Sequence, residues 1–213
     1  MPSNHRRPSA IGLILGVALS VVLIIPVAAR EVSHGTHRST VAQVVWGVTD
    51  PATGAGTWGI LAAYDQDDLS GISFTEQTTT LVDCGGHEGL VGTFRVGDSF
   101  DQGSIAVAPN LSTGRASGFM TIVTGTFDEC TWQWDVTSVE ENVAVSLDLV
   151  ATGGRANTMD RYVEHLPDEY RAMSVTRMQV RPAAGSASVG GVPLAFDAAA
   201  ISRHSSSFHF HGQ

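Results

Sequence analysis

Apolar residues recur at every second position through most of this chain, and no stretch sustains the three-to-four spacing of a helix. Val143, Val145, Leu147 and Leu149 alternate with Ala144, Ser146, Asp148 and Val150, which predicts a strand with one dry and one wet face. Ala42, Val44, Trp46 and Val48 share one face of a strand over 41–48, and Trp58, Ile60, Ala62 and Tyr64 repeat the pattern over 57–64. Between them, residues 49–56 are turn-rich, as in a long hairpin. Further runs of strand character fall at 72–83, 90–96, 104–108, 118–126, 131–138 and 142–150. Gly190-Gly191, between 185–189 and 192–196, is a two-residue hairpin signal, and Pro193 sends the second strand to a sheet edge. Only 160–173, broken by Pro167, and the short 196–201 hint at helix.

Short strands separated by frequent turn signals predict an all-β fold, an antiparallel β-sandwich or a barrel-like domain, after an N-terminal signal segment. A chain of 213 residues is expected to build one core. The expected division is a signal over 1–29, a polar linker over 30–39 and a single all-β domain over 40–213.

The signal rests on Arg6 and Arg7, followed by an almost unbroken apolar run from Ala10 to Ala29. Pro26 breaks that run just before Val27-Ala28-Ala29, whose small residues suit a signal peptidase. An uncleaved anchor is the rival, because about 20 apolar residues just span a bilayer. The expected location is therefore secreted, or else anchored with an extracytoplasmic domain, touching membrane only through residues 10–29. Cleavage leaves 10 arginines against 21 acids, a net charge of −11. Export makes Cys84 and Cys130, the only cysteines, a disulfide. Closing a loop of about 46 residues stabilises the fold by roughly 4 kcal/mol in the chain-entropy model. The competing use joins Cys84, His87 and Cys130 in a metal site.

All 12 basic residues are arginines, which excludes lysine-dependent phosphate loops and Schiff bases. That lysine-free, Ala/Gly/Val-rich composition fits a GC-rich bacterial genome. An acidic chain in which no basic patch is expected is a poor partner for nucleic acid. Gly54, Gly56 and Gly59 match a dinucleotide fingerprint, with Glu76 about 20 residues on, but a strand rather than a helix follows them. They are expected to be turn residues, and no cofactor is expected. Asp65, Asp67 and Asp68 crowd one loop, yet Leu69 and Ser70 stand where a calcium loop needs an oxygen ligand and a glycine. Asn110-Leu111-Ser112 is a formal glycosylation sequon, idle in a bacterial context.

Three constellations remain. Trp132 and Trp134 form either a stacking platform for a sugar or part of the core beside the disulfide. Asp160, Glu164, His165, Asp168 and Glu169 hold the densest acid–base chemistry, either a hydrolytic pair or a polar loop around Pro167. His209 and His211, alternating with Phe208 and Phe210, and assisted by His204, have the spacing to share one metal ion from a strand. No nucleophile elbow and no H-E-x-x-H motif is present. The leading expectation is a secreted binding or structural β module. A secreted hydrolase using the acids near 160–169 and a metal-binding protein using the C-terminal histidines are the alternatives.

Overall fold

A computed structural model of the chain describes residues 34–66, 69–100, 103–165 and 171–211, with side chains over 37–66, 69–100, 103–159 and 176–207. The expected signal over 1–29 lies outside the described residues. Those residues form one antiparallel sheet of eleven strands with no helix. In chain order they are β1 (His34–Thr49), β2 (Gly56–Gln66), β3 (Leu69–Asp83), β4 (Glu88–Phe100), β5 (Ser104–Val107) and β6 (Thr113–Asp128). There follow β7 (Gln133–Ala151), β8 (Ala156–His165), β9 (Arg171–Val189), β10 (Val192–Pro193) and β11 (Ala198–His211).

The pairings close on themselves. Starting at β1 they pass through β2, β3, β4, β6, β7, β9 and β11 and return to β1, a barrel-like ring of eight strands. Carried round that ring, the register returns to β1 displaced by about ten residues, so the strands tilt across the barrel axis. β9 completes the ring by changing partners. Its C-terminal part, Ala183–Val189, pairs with β7, and its first part pairs with β11 on one edge and β8 on the other. Pro182 stands at this changeover, where its carbonyl accepts from Thr152 N–H and its missing N–H leaves no gap in the ladder to β7.

The interior holds the main core. Ala42 and Val44 from β1, Leu61 and Ala63 from β2, Ile72 and Phe74 from β3, and Val145, Leu147 and Leu149 from β7 are all buried there. The ring is flattened. A Cβ on Gly114 of β6 would lie 2.5 Å from the Ala42 Cβ on the opposite wall, so only glycine lets the walls meet. Leu111, in the β5–β6 connection, enters the same core from a left-handed conformation (φ 59°). The outside carries polar pairs instead, including Arg115–Asp148 at 3.0 Å and Ser146–Ser188 at 2.7 Å. A barrel that faces lipid and encloses a polar lumen reverses that arrangement.

Several expectations are corrected. The alternating set on β2 points the other way: Leu61 and Ala63 face inward rather than Trp58, Ile60, Ala62 and Tyr64. β2 is apolar on both faces, so its pattern alone could not choose. Val48 is 79% exposed, because it lies past the end of the β1–β11 pairing. The stretch over 30–39 is not all linker, since β1 begins at His34 and pairs with β11 as far as His209. Neither helical hint is a helix among the described residues: 160–165 and 171–173 are strand paired through β9, and Phe196-Asp197 is irregular before Ala198–Ile201 opens β11 against β1. Gly190 and Gly191 form the expected hairpin, both at positive φ, and β10 is a two-residue edge strand.

Candidate functional site at the disulfide end

Three connections cluster at one end of the barrel, between β1 and β2, β3 and β4, and β6 and β7. Cys84 and Cys130 join the last two by a disulfide, with Cα atoms 5.1 Å apart. Each tip is held by its own aspartate. Asp83 Oδ1 accepts from the N–H groups of Gly85 and Gly86, both at 3.0 Å, and those two bonds lower its pKa below the ordinary value. Asp128 Oδ1 accepts from Cys130 N–H at 2.8 Å and Thr131 N–H at 3.3 Å. Glu129 joins the two tips, since its carboxylate and its N–H both bond the backbone of Leu90.

The sheet reverses its apolar face at this end. Gly97 and Ser99 of β4 share the inward face of Ile72 and Phe74, whereas Leu90, Phe94 and Val96 alternate onto the outer face. There they join Phe127 and Val123 of β6, Leu81 of β3 and Ala55 of the β1–β2 turn in a second cluster. Gly125 makes room for it, because a Cβ there would lie 2.4 Å from the Phe94 ring.

Trp134 stands on this cluster. It is paired opposite Phe127, with its ring 5.2 Å from Phe127 in a stacked arrangement and 5.5 Å from Phe94. The side chain nevertheless remains 60% exposed, and Trp132, at the tip of the turn with φ 56°, is 81% exposed. A core position beside the disulfide is therefore not what these tryptophans occupy. Two register shifts in the β6–β7 ladder extend the surface. The extra residue at Thr137 lets Val139 face outward with Val136 and Trp134, where strict alternation would place them on opposite faces. Val136 and Val139 are 61% and 56% exposed. Over 133–142 the second edge of β7 meets no strand among the described residues, since its pairing with β9 begins only at Val145.

The other sequence-predicted residues do not assemble a site. Cys84 and Cys130 are bonded to each other, and His87 contributes its carbonyl to Cys84 N–H. Gly54 is a turn residue at positive φ. Gly56, also at positive φ, instead opens β2, and Gly59 lies within β2 beneath the Trp46 ring, so only the first of the three glycines is a turn residue as expected. Glu76, twenty residues on, accepts from Trp46 Nε1 at 3.4 Å and from Arg95 Nη1 at 3.0 Å, with Arg95 lying over the Phe74 ring. That carboxylate is engaged in tying β1, β3 and β4. Asn110 caps its own turn, its side chain accepting from Ser112 N–H. Asp67 and Asp68 lie outside the described residues, as do Asp168, Glu169 and the side chains of Asp160, Glu164 and His165. His209 and His211 stand opposite Met173 and Arg171 in the β9–β11 register, and their side chains also lie outside the described residues. No group of three or more His, Cys, Asp or Glu among the described residues is placed to hold a metal ion.

No protein-family model matches the chain, and no curated protein matches it. Among solved structures, the chain aligns with the beta domain of the Bordetella autotransporter BrkA at 10% identity and a TM-score of 0.14. That alignment covers 84% of this chain and 99% of the other. A score so low carries no argument about fold or role.

Proposed function

We propose that this is an exported, disulfide-bonded binding module whose ligand sits on the aromatic surface around Trp132 and Trp134. The observation that carries the reading is Trp134, more than half exposed yet seated on Phe94 and Phe127. Large rings left open to water cost free energy, and tryptophan is the residue that dominates binding surfaces when it is covered. The base is already built, so little conformational entropy is lost when a ligand arrives. A partner with a flat, partly apolar face, such as a pyranose ring, fits stacking on such a platform. Export accords with the apolar run before residue 30 and with a disulfide, which persists in oxidising compartments.

Intrinsic tryptophan fluorescence of the purified disulfide-bonded chain, titrated with soluble glucans, xylans and peptidoglycan fragments, tests the reading. One of these is expected to shift the emission saturably, and Trp134→Ala to abolish the response without lowering secondary-structure content. Turnover of any of them by the protein, lost on a point substitution remote from Trp134, would replace the binding reading with an enzymatic one.

A further inference from the structure

The opposite end of the barrel gathers positive charge that is scattered in sequence. There β1, β11 and β9 pair so that Arg38, Ser205 and Arg177 stand in one row across three strands. Arg203 lies two residues along β11, between Thr40 and Gln179. All of these positions share the face on which Ala42 and Ile201 enter the core, so the guanidiniums continue the concave inner face beyond its apolar filling. Arg155, in the β7–β8 connection, is close enough to act electrostatically on Arg203, as Arg38 does. Arg181 shares the face but is committed, donating to the Gly153 carbonyl at 3.0 and 2.9 Å and to the Asn110 carbonyl at 3.4 Å.

Arg203 is different. Its Nε is buried and has no hydrogen-bond partner among the described residues. Its pKa is lowered by burial and by the two neighbouring guanidiniums. Among the described side chains, Asp65 of β2, opposite Thr40, is an acid on the same face at this end. Five of the chain's 12 arginines thus converge at one end of a molecule whose net charge is −9. Like charges held together in this way form a complement to an anion.

We propose that Arg203, together with Arg177 on the neighbouring strand, binds a small solute through one phosphate or sulfate group. Arg203 and Arg177 stand on adjacent strands of one face, offset by two residues, and adjacent strands lie about 5 Å apart, so long arginine forks from both can reach one tetrahedral anion. A solute fits better than a lipid headgroup in a bilayer, because a flat membrane cannot enter a concave face.

The test uses the full disulfide-bonded chain, its melting temperature and calorimetric titration with inorganic phosphate and sulfate, against chloride at equal ionic strength. Phosphate or sulfate should raise the melting temperature beyond chloride, as a ligand of the folded state does. Arg203→Gln should weaken binding by about tenfold or more, the scale of a lost charge-assisted bond. Without anion it should melt no lower than the parent, because repulsion and a buried unpaired N–H are both relieved. Arg177→Gln, at an exposed position, gives the same comparison should Arg203→Gln fail to fold. An equal response to chloride, an undiminished response in these variants, or binding to phosphatidylglycerol vesicles with none to inorganic phosphate would each overturn the proposal.

Discussion

The barrel interior and the disulfide end use the same strands in opposite ways. Inside the ring, β3 buries Ile72 and Phe74 beside Gly97 and Ser99 of β4, and closure of the sheet does the covering. Past the ring, the same two strands turn Leu81, Leu90 and Phe94 outward, where no second wall exists. The interior buries Ile72 and Phe74 through closure of the ring, whereas the outer cluster buries Leu90, Phe94 and Phe127 beneath Trp134 and a hairpin turn and leaves Leu81, Val96 and Val123 only partly covered. A disulfide stands where a second wall is missing. What differs is the source of stability: long-range packing in one region, a covalent link and local turns in the other.

That contrast can be broken at several levels. The largest effect is expected at Phe74, where Phe74→Ala should cost roughly 3–5 kcal/mol in denaturant unfolding and loosen the whole barrel. Replacing Cys84 and Cys130 together by alanine should cost about 2–4 kcal/mol, with the loss of order concentrated in the 83–96 and 121–140 segments. If that double variant instead melted the barrel and the tip in one transition, the two regions would be a single unit. Trp134→Ala should cost only about 1 kcal/mol, since much of its surface is already wet, while removing ligand binding.

The smallest effect is one of pH. The Asp83 carboxylate is held below its ordinary pKa of 3.8 by the amides of Gly85 and Gly86. Its contribution is therefore present above pH 3.8 and is lost as pH falls through the lower folded value. Amide exchange at Gly85 and Gly86 should quicken across that acidic window, and Asp83→Ala should remove the pH dependence there.

How much of this could be read from the sequence depends on the local pattern. The Val143–Leu149 alternation and the Gly190-Gly191 turn are correct because one dry face and one turn geometry each leave a single solution. β2 defeats the pattern by being apolar on both faces. The first part of β9 carries no alternation, and Pro182 hides the point at which it changes partners. Trp132 and Trp134 are visible as a pair, but their platform is not. Phe94 and Phe127 come from other strands, and only the extra residue at Thr137 brings Val136 and Val139 onto one face. The arginine row is equally invisible, since Arg38, Arg177 and Arg203 meet only through strand register.

Native-state hydrogen exchange with the disulfide intact and reduced compares the two regions most directly. Reduction should lower protection at Leu90–Phe94, Phe127 and Trp134 while leaving Ile72, Phe74, Leu147 and Leu149 as slow as before. A uniform loss of protection across both sets, or no loss at the tip, would contradict the account of a self-sufficient barrel carrying a separately clamped aromatic platform.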